Sequence, residues 1–379
     1  MIPGPIEFDQ SVLEAMAMPS YGHTSKEFIQ TFSEDLEMVV EIFDAKNSSP
    51  FLISGSGTLG MEISTVNFIN RNSKVLVVSN GYFGDRFVEL LSRFTKNVEV
   101  YKPPLGQAAD PLEIYERVNT NKYDLATITH VDTSSGVRND LKQIAKYFKG
   151  LDTVLVADGV CSIGGEEFSM EWGIDVAFTA SQKALGTPPG LAIGVVGSKA
   201  LSAIQRNPPM SYFSDLRKWL EVFKNTIDLK TGYFGTPNVN LLSALNVSLK
   251  SILKEGLKNR YERHEIIAKA FRNAINSVGL RMVPEGSYAN TLSVPYLPDG
   301  VKKDLFLTDA ERYGAIFAGG LLPDIKDKYF RIGHMGSVNS SEVMISVGAI
   351  ERSLLRNGYE IELGTAVSAA EEVLFEHNY

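Results

Sequence analysis

Two strand-like runs of this sequence lead into residues that can do chemistry. Val154-Leu155-Val156-Ala157 runs straight into Asp158, and Val176-Ala177-Phe178-Thr179-Ala180 runs into Ser181-Gln182-Lys183. In parallel α/β sheets ligands bind outside the carboxyl ends of the strands, so both side chains are expected at one edge. A lysine held there, with its stem against apolar walls, can have its pKa depressed and become a nucleophile toward a carbonyl. A carboxylate beside it can pair with a protonated ring nitrogen and keep that ring an electron sink. Taken singly, each has a plainer explanation, because a strand-end Asp often caps a turn and a Lys is usually solvated.

A third feature is the turn Ser54-Gly55-Ser56-Gly57-Thr58-Leu59-Gly60, which follows an apolar segment and precedes a helical pattern. Its backbone N–H groups should converge on an anion at the helix N-terminus, with the Ser56 and Thr58 hydroxyls as further donors. The same letters fit the dinucleotide fingerprint G-x-G-x-x-G through Gly55, Gly57 and Gly60. That reading also wants an acid at the end of the second strand. Here that strand ends in Ser79-Asn80-Gly81, and the nearest acid, Asp85, lies beyond a turn. A monophosphate cradle fits better than a nicotinamide site.

These residues need a sheet to position them. Apolar runs at 75–79, 98–101, 125–129, 154–157, 176–179 and 191–196 alternate with helical patterns. That alternation is the signature of an α/β fold with a mostly parallel central sheet covered by helices. Leu59, Ile63, Val66 and Ile69 recur at helical spacing, as do Phe87, Leu90, Leu91 and Phe94. Prolines 188, 189, 208, 209 and 237 punctuate the next stretch, so 197–238 reads as helices joined by irregular loops. Long helical patterns cover 239–255 and 259–278. Strands are then expected at 291–295, 315–318 and 329–332, a helix at 340–355, and an amphipathic helix within 364–379. The expected division is an N-terminal arm over 1–20, a large domain over 21–260 and a smaller α+β domain over 261–379.

Composition narrows the classes. A net charge of −8 without a clustered basic stretch argues against DNA or RNA. No run approaches the roughly 18 apolar residues that a membrane span needs. The first nine residues lack the order of a signal peptide, and Cys161 is the single cysteine, so a reducing cytoplasm is the expected compartment. The five histidines show no metal-ligand spacing, and no metal is expected.

Seven segments in order carry a resemblance: 54–58, Asn80-Gly81-Tyr82-Phe83-Gly84-Asp85-Arg86, Thr129-His130-Val131-Asp132-Thr133-Ser134-Ser135-Gly136, Ala157-Asp158-Gly159-Val160, Ser181-Gln182-Lys183, Gly235-Thr236-Pro237 and Arg331-Ile332-Gly333-His334-Met335-Gly336. Together they resemble the class V aminotransferases, closest to the alanine:glyoxylate and serine:pyruvate group, across nearly the whole chain. The resemblance implies a fold-type I enzyme that uses pyridoxal 5′-phosphate, held by Lys183 as a Schiff base. It would move the amino group of alanine or serine to glyoxylate or pyruvate in a ping-pong cycle.

Residue by residue, the resemblance implies that Lys183 also shuttles the proton at the substrate Cα and that Asp158 binds the ring nitrogen. Phe83 would stack on one ring face, Val160 would pack on the other, and Thr133 would hydrogen-bond the ring hydroxyl or its neighbour. Ser56, Gly57, Thr58 and Gln182 would hold the phosphate. Tyr233 and Thr236 match residues that reach the phosphate site of a partner subunit, which implies a homodimer with shared active sites. Arg331 would grip the substrate carboxylate, in keeping with the bidentate geometry of a guanidinium; the plain reading is a surface ion pair. Gly4 in the arm would lie near the same ligand.

Three further readings are weighed. A lyase or aldolase using the same cofactor would need no oxo-acid acceptor. A nicotinamide oxidoreductase would use the glycine turn. A cysteine desulfurase would need a mobile reactive thiol, whereas Cys161 follows a buried strand. His130 and His334 lie near the expected site, each readable as a site residue or a structural one.

Overall fold

The computed structural model describes residues 1–205 and 209–379. Pro208, one of the prolines read as punctuation, lies outside the described residues. Seven strands form the large sheet: β1 (Ser49–Ser54), β2 (Lys74–Val78), β3 (Asn97–Tyr101), β4 (Leu125–Thr129), β5 (Val154–Asp158), β6 (Val176–Ala180) and β7 (Leu191–Val196). Their order is β1-β7-β6-β5-β4-β2-β3. Every residue of β4, β5, β6 and β7 is buried, which is why these runs are largely apolar rather than alternating.

Strands β2 to β6 are mutually parallel, and β7 is antiparallel to both β6 and β1. Two reversals make β1 run the same way as β6. The end of β1, which feeds the glycine turn, therefore opens at the same edge as the ends of β5 and β6, which feed Asp158 and Lys183. The apolar segment before the glycine turn is thus a strand of this sheet.

The stretch after β7 is helical where expected, at Ser198–Ile204 and Leu216–Ile227. Helices Val239–Glu255 and Leu257–Ser277 meet at Gly256, whose φ of +83° only glycine adopts easily. Beyond lies a second sheet, ordered β8-β10-β9, of β8 (Leu292–Ser293), β9 (Ala318–Gly319) and β10 (Phe330–Gly333). Its strands are shorter than the apolar runs suggest. Ala315 gives its N–H to the Ala310 carbonyl, ending the helix Lys303–Arg312, so pairing with β10 starts only at Ala318.

The C-terminal helix Thr365–Glu376 begins on Glu351, a buried carboxylate in the helix Ser340–Arg356 that accepts the N–H groups of Gly364, Ala366 and Val367. It lies along Leu257–Ser277 and closes a hydrophobic core separate from the one around the large sheet. No helix of the described residues is long and apolar enough to cross a membrane.

Candidate active site at the sheet edge

Asp158 ends β5 as a buried carboxyl whose Oδ1 accepts the Val160 N–H at 2.9 Å. Burial, aided by the nearby charge of Asp132, pushes its pKa up to about 7 against the opposing pull of the Val160 N–H, Lys183 and Arg86. Lys183 is buried too. Its turn is closed by Ser181, whose Oγ donates to the Pro188 carbonyl at 2.8 Å and accepts the Leu191 N–H at 3.2 Å. The Lys183 ammonium donates to the Pro3 carbonyl, and its stem lies against Gly4. The N-terminal arm therefore reaches the lysine.

Ser56 caps the helix Gly57–Val66 without a side-chain cap bond, so the first-turn N–H groups and its own hydroxyl stay available. A β-carbon at Gly57 would lie 3.3 Å from Ala180 and 3.4 Å from Val160, so the turn sits beside the ends of β5 and β6. Gln182 Oε1 is buried with no partner among the described residues. Thr58 Oγ1 accepts from Arg86 Nη1 at 3.2 Å. Arg86 also lies over the Phe83 ring, 5.0 Å from its centroid, and pairs with no carboxylate among the described residues. Arg86 is a site residue that sequence reasoning left unassigned. The available signal was its position one helical turn after Phe83.

Asp132 was likewise passed over. It is buried, and its carboxylate accepts from the N–H of Phe83 (3.0 Å) and from the N–H and hydroxyl of Ser134 (2.8 and 2.5 Å). It thereby anchors the start of the helix Tyr82–Leu91 and the ring of Phe83. Thr133 next to it donates its hydroxyl to Cys161 Sγ at 2.8 Å. Cys161 is buried and burial pushes its thiol pKa up, the opposite of what a reactive thiolate requires.

Arg331, on β10, is buried, not on the surface. Its Nε donates to the Gly319 carbonyl at 2.8 Å, and among the described residues it forms no ion pair. The surface ion-pair reading therefore fails. The arm links the two halves: Gly333 donates to the Met1 carbonyl at 2.8 Å, and Ile6 donates to the Gln182 carbonyl at 3.2 Å.

Other candidates lie apart. Tyr233 and Thr236 are exposed and bonded to each other at 3.2 Å, on a loop whose Asn238 N–H reaches Ser54 Oγ. His130 packs its ring near Phe168 and Trp172, and burial lowers its pKa to about 3. His334 stacks on Phe271 and shares a 2.9 Å hydrogen bond with Ser293, a structural role. The dinucleotide reading also fails on topology, because among the described residues β1 pairs with the antiparallel β7 alone and is separated from β2, the strand after its helix, by β7, β6, β5 and β4.

The arrangement can hold a ligand that carries an anion at the glycine turn and Arg86, a protonated nitrogen at Asp158, a carbonyl carbon at Lys183 and a second anion at Arg331. Comparison with known proteins agrees. The family model described as aminotransferase class-V matches residues 10–317. The chain is 42% identical to alanine–glyoxylate aminotransferase 1 of Saccharomyces cerevisiae, over 89% of this chain and 91% of that protein. It is 32% identical to L-aspartate–glyoxylate aminotransferase of Paracoccus denitrificans, over 98% and 94%. The crystal structure of ureidoglycine–glyoxylate aminotransferase from Bacillus subtilis superposes with a TM-score of 0.93 at 28% identity, covering 99% of this chain and 97% of that one. An α/β enzyme with a mostly parallel central sheet, the chain belongs to the class V aminotransferase family.

Proposed function

We propose that this enzyme uses pyridoxal 5′-phosphate to move the amino group of a small amino acid, alanine or serine, to glyoxylate or pyruvate. The observation that carries the reading is the pair of guanidinium groups that have no carboxylate partner among the described residues, Arg86 against the glycine turn and Arg331 buried on β10, beside a buried Lys183 and Asp158. A phosphate suits the first and a substrate carboxylate the second. The uncapped first turn after Ser56 leaves further N–H donors free at the phosphate end.

When bound, the cofactor supplies an aldehyde that condenses with amines and a ring that accepts electron density from the substrate Cα. The protein's residues do the rest. The N–H groups of Gly57 and Thr58, the Ser56 hydroxyl, Gln182 and Arg86 would hold the phosphate. Asp158, which forms no ion pair among the described residues, would accept a hydrogen bond from the protonated ring nitrogen, whose positive charge would keep it ionised. Phe83, its backbone held by Asp132, and Val160 would flank the ring, and Thr133 would serve the ring hydroxyl. Arg331 fixes the carboxylate of each substrate in turn, with Gly4 leaving the room. Lys183 Nζ takes the proton from the donor's Cα and returns one to the acceptor.

Tyr233 and Thr236, exposed on a loop next to Ser54, would complete the phosphate site of a second copy, making the working form a homodimer. The N-terminal arm ends near residue 20, and the small domain begins near Arg260. The single cysteine fits a cytoplasmic setting. The test is a panel of amino donors against glyoxylate, pyruvate and 2-oxoglutarate, read by the colour change of each half-reaction. Alanine or serine with glyoxylate or pyruvate should lead. Continued product release over many turnovers without an oxo acid would overturn the reading.

A further inference from the structure

The two anion-facing halves of the site sit on different sheets, so something must fix the distance between them. At the junction of Val239–Glu255 and Leu257–Ser277 the described residues form a buried polar relay. Arg260 is 4% exposed; its Nη2 donates to the Ala184 carbonyl at 2.7 Å, its Nε to the Gly164 carbonyl at 2.7 Å and its Nη1 to Glu255 at 2.7 Å. Ala184 directly follows Lys183. One turn along the helix, His264 is wholly buried, with Nδ1 2.7 Å from the Arg260 carbonyl and Nε2 3.1 Å from the Gly336 nitrogen.

A backbone N–H can only donate, so Nε2 must be the acceptor and Nδ1 must carry the hydrogen. The imidazole is neutral, which burial and the neighbouring arginines enforce by lowering its pKa. Gly336 closes the turn that follows Arg331 on β10. Arg263 grips that turn from the other side, through the Gly336 and Val338 carbonyls at 3.0 and 2.9 Å, and is itself held by Glu255.

We propose that His264, Arg260 and Arg263 are positioning residues for amino transfer: the relay from Ala184 to Gly336 sets the separation between Lys183 and Arg331. None of them reaches the reacting atoms. Their contribution is to hold the carboxylate grip at the distance the lysine requires, where misplacement by about 1 Å can cost on the order of 100-fold in rate. The inference rests on the functional reading above, in which Arg331 holds the substrate carboxylate.

The test compares an amine that uses Arg331 with one that cannot. In the holoenzyme, half-reactions with alanine and with ethylamine, which has no carboxylate, are followed by absorbance in His264→Phe and in Arg263→Gln. The second variant serves if the first does not fold. The expected result is an apparent Kd for alanine raised by about tenfold or more with the ethylamine reaction unchanged, and recovery of alanine binding in His264→Gln, whose side-chain oxygen can accept the Gly336 N–H. Equal losses for both amines, or no change for either, would overturn the proposal. Failure of the functional reading would look different, since the parent itself would then respond to neither amine, and the relay would fall with it.

Discussion

A β-carbon added at Gly4 would stand 2.7 Å from Lys183 Nζ. Gly4 also has φ +111°, a conformation that side chains rarely adopt. The arm and the lysine are therefore fitted to each other, although Gly4 and Lys183 lie far apart in sequence. Gly4→Ala is expected to lower kcat by at least about tenfold, from displacement of the lysine or the arm. The melting temperature should stay near that of the parent, because Gly4 itself gives no side chain to either core. Steady-state kinetics beside a thermal melt decides the matter, and unchanged kcat would remove the arm from the site.

Arg86 separates phosphate recognition from ring recognition. Arg86→Met should weaken binding of pyridoxal phosphate by about tenfold or more, the scale of one charge-assisted hydrogen bond worth roughly 1.5–3 kcal/mol. Binding of pyridoxal, which lacks the phosphate, should not change. Spectrophotometric titration with both compounds checks this, and equal losses for the two would contradict it.

Asp158 ties stability to pH. In the folded, cofactor-free protein its carboxyl holds a proton up to about pH 7. An unfolded chain gives that proton up near pH 4, at about the usual aspartate pKa. The folded state binds more protons across that window, so this residue makes stability fall as pH rises from about 4 to 7 and then level off. Asp158→Asn lacks the penalty. It should match the parent at pH 4 and exceed it at pH 8 by on the order of a few kcal/mol. Urea unfolding at both pH values measures the difference, and a variant no more stable than the parent at pH 8 would contradict the buried, uncompensated acid.

Arg331→Gln removes the charge but leaves a polar side chain of moderate length. KM for alanine and for glyoxylate should rise by about 100-fold, equivalent to roughly 2.7 kcal/mol, because both substrates bring a carboxylate to the same place. Cofactor affinity should be unaffected. A rise for only one substrate would show that Arg331 does not serve both half-reactions.

What the sequence made legible follows from what local pattern can encode. Asp158 stood out because it ends an apolar strand and Lys183 because it lies three residues beyond another, which put both at the edge where such sheets bind ligands. The glycine turn stood out because its letters demand an unusual backbone. Arg86 and Asp132 left no such mark. Arg86 looks like any helix-surface cation until the fold lays its helix against the glycine turn, and Asp132 does its work by returning to cap a helix some fifty residues earlier. The antiparallel β7, which turns the dinucleotide-like motif into something else, is invisible in an apolar run that reads the same in either direction. The shortness of β9 came from competition, since a helix terminus claimed the Ala315 N–H. The relay through Arg260 and His264 was hidden for a similar reason: both lie within one helix, and the partners that span the relay, the Ala184 carbonyl and the Gly336 N–H, are backbone groups far away in sequence.

Lys183 is reached most directly by trapping. Purified protein with pyridoxal phosphate is treated with borohydride, digested and mapped. The label is expected on the peptide containing Lys183 and absent when an excess of alanine is added first. Label on any other lysine, or none at all in protein that binds the cofactor, would contradict the assignment from which the rest is built.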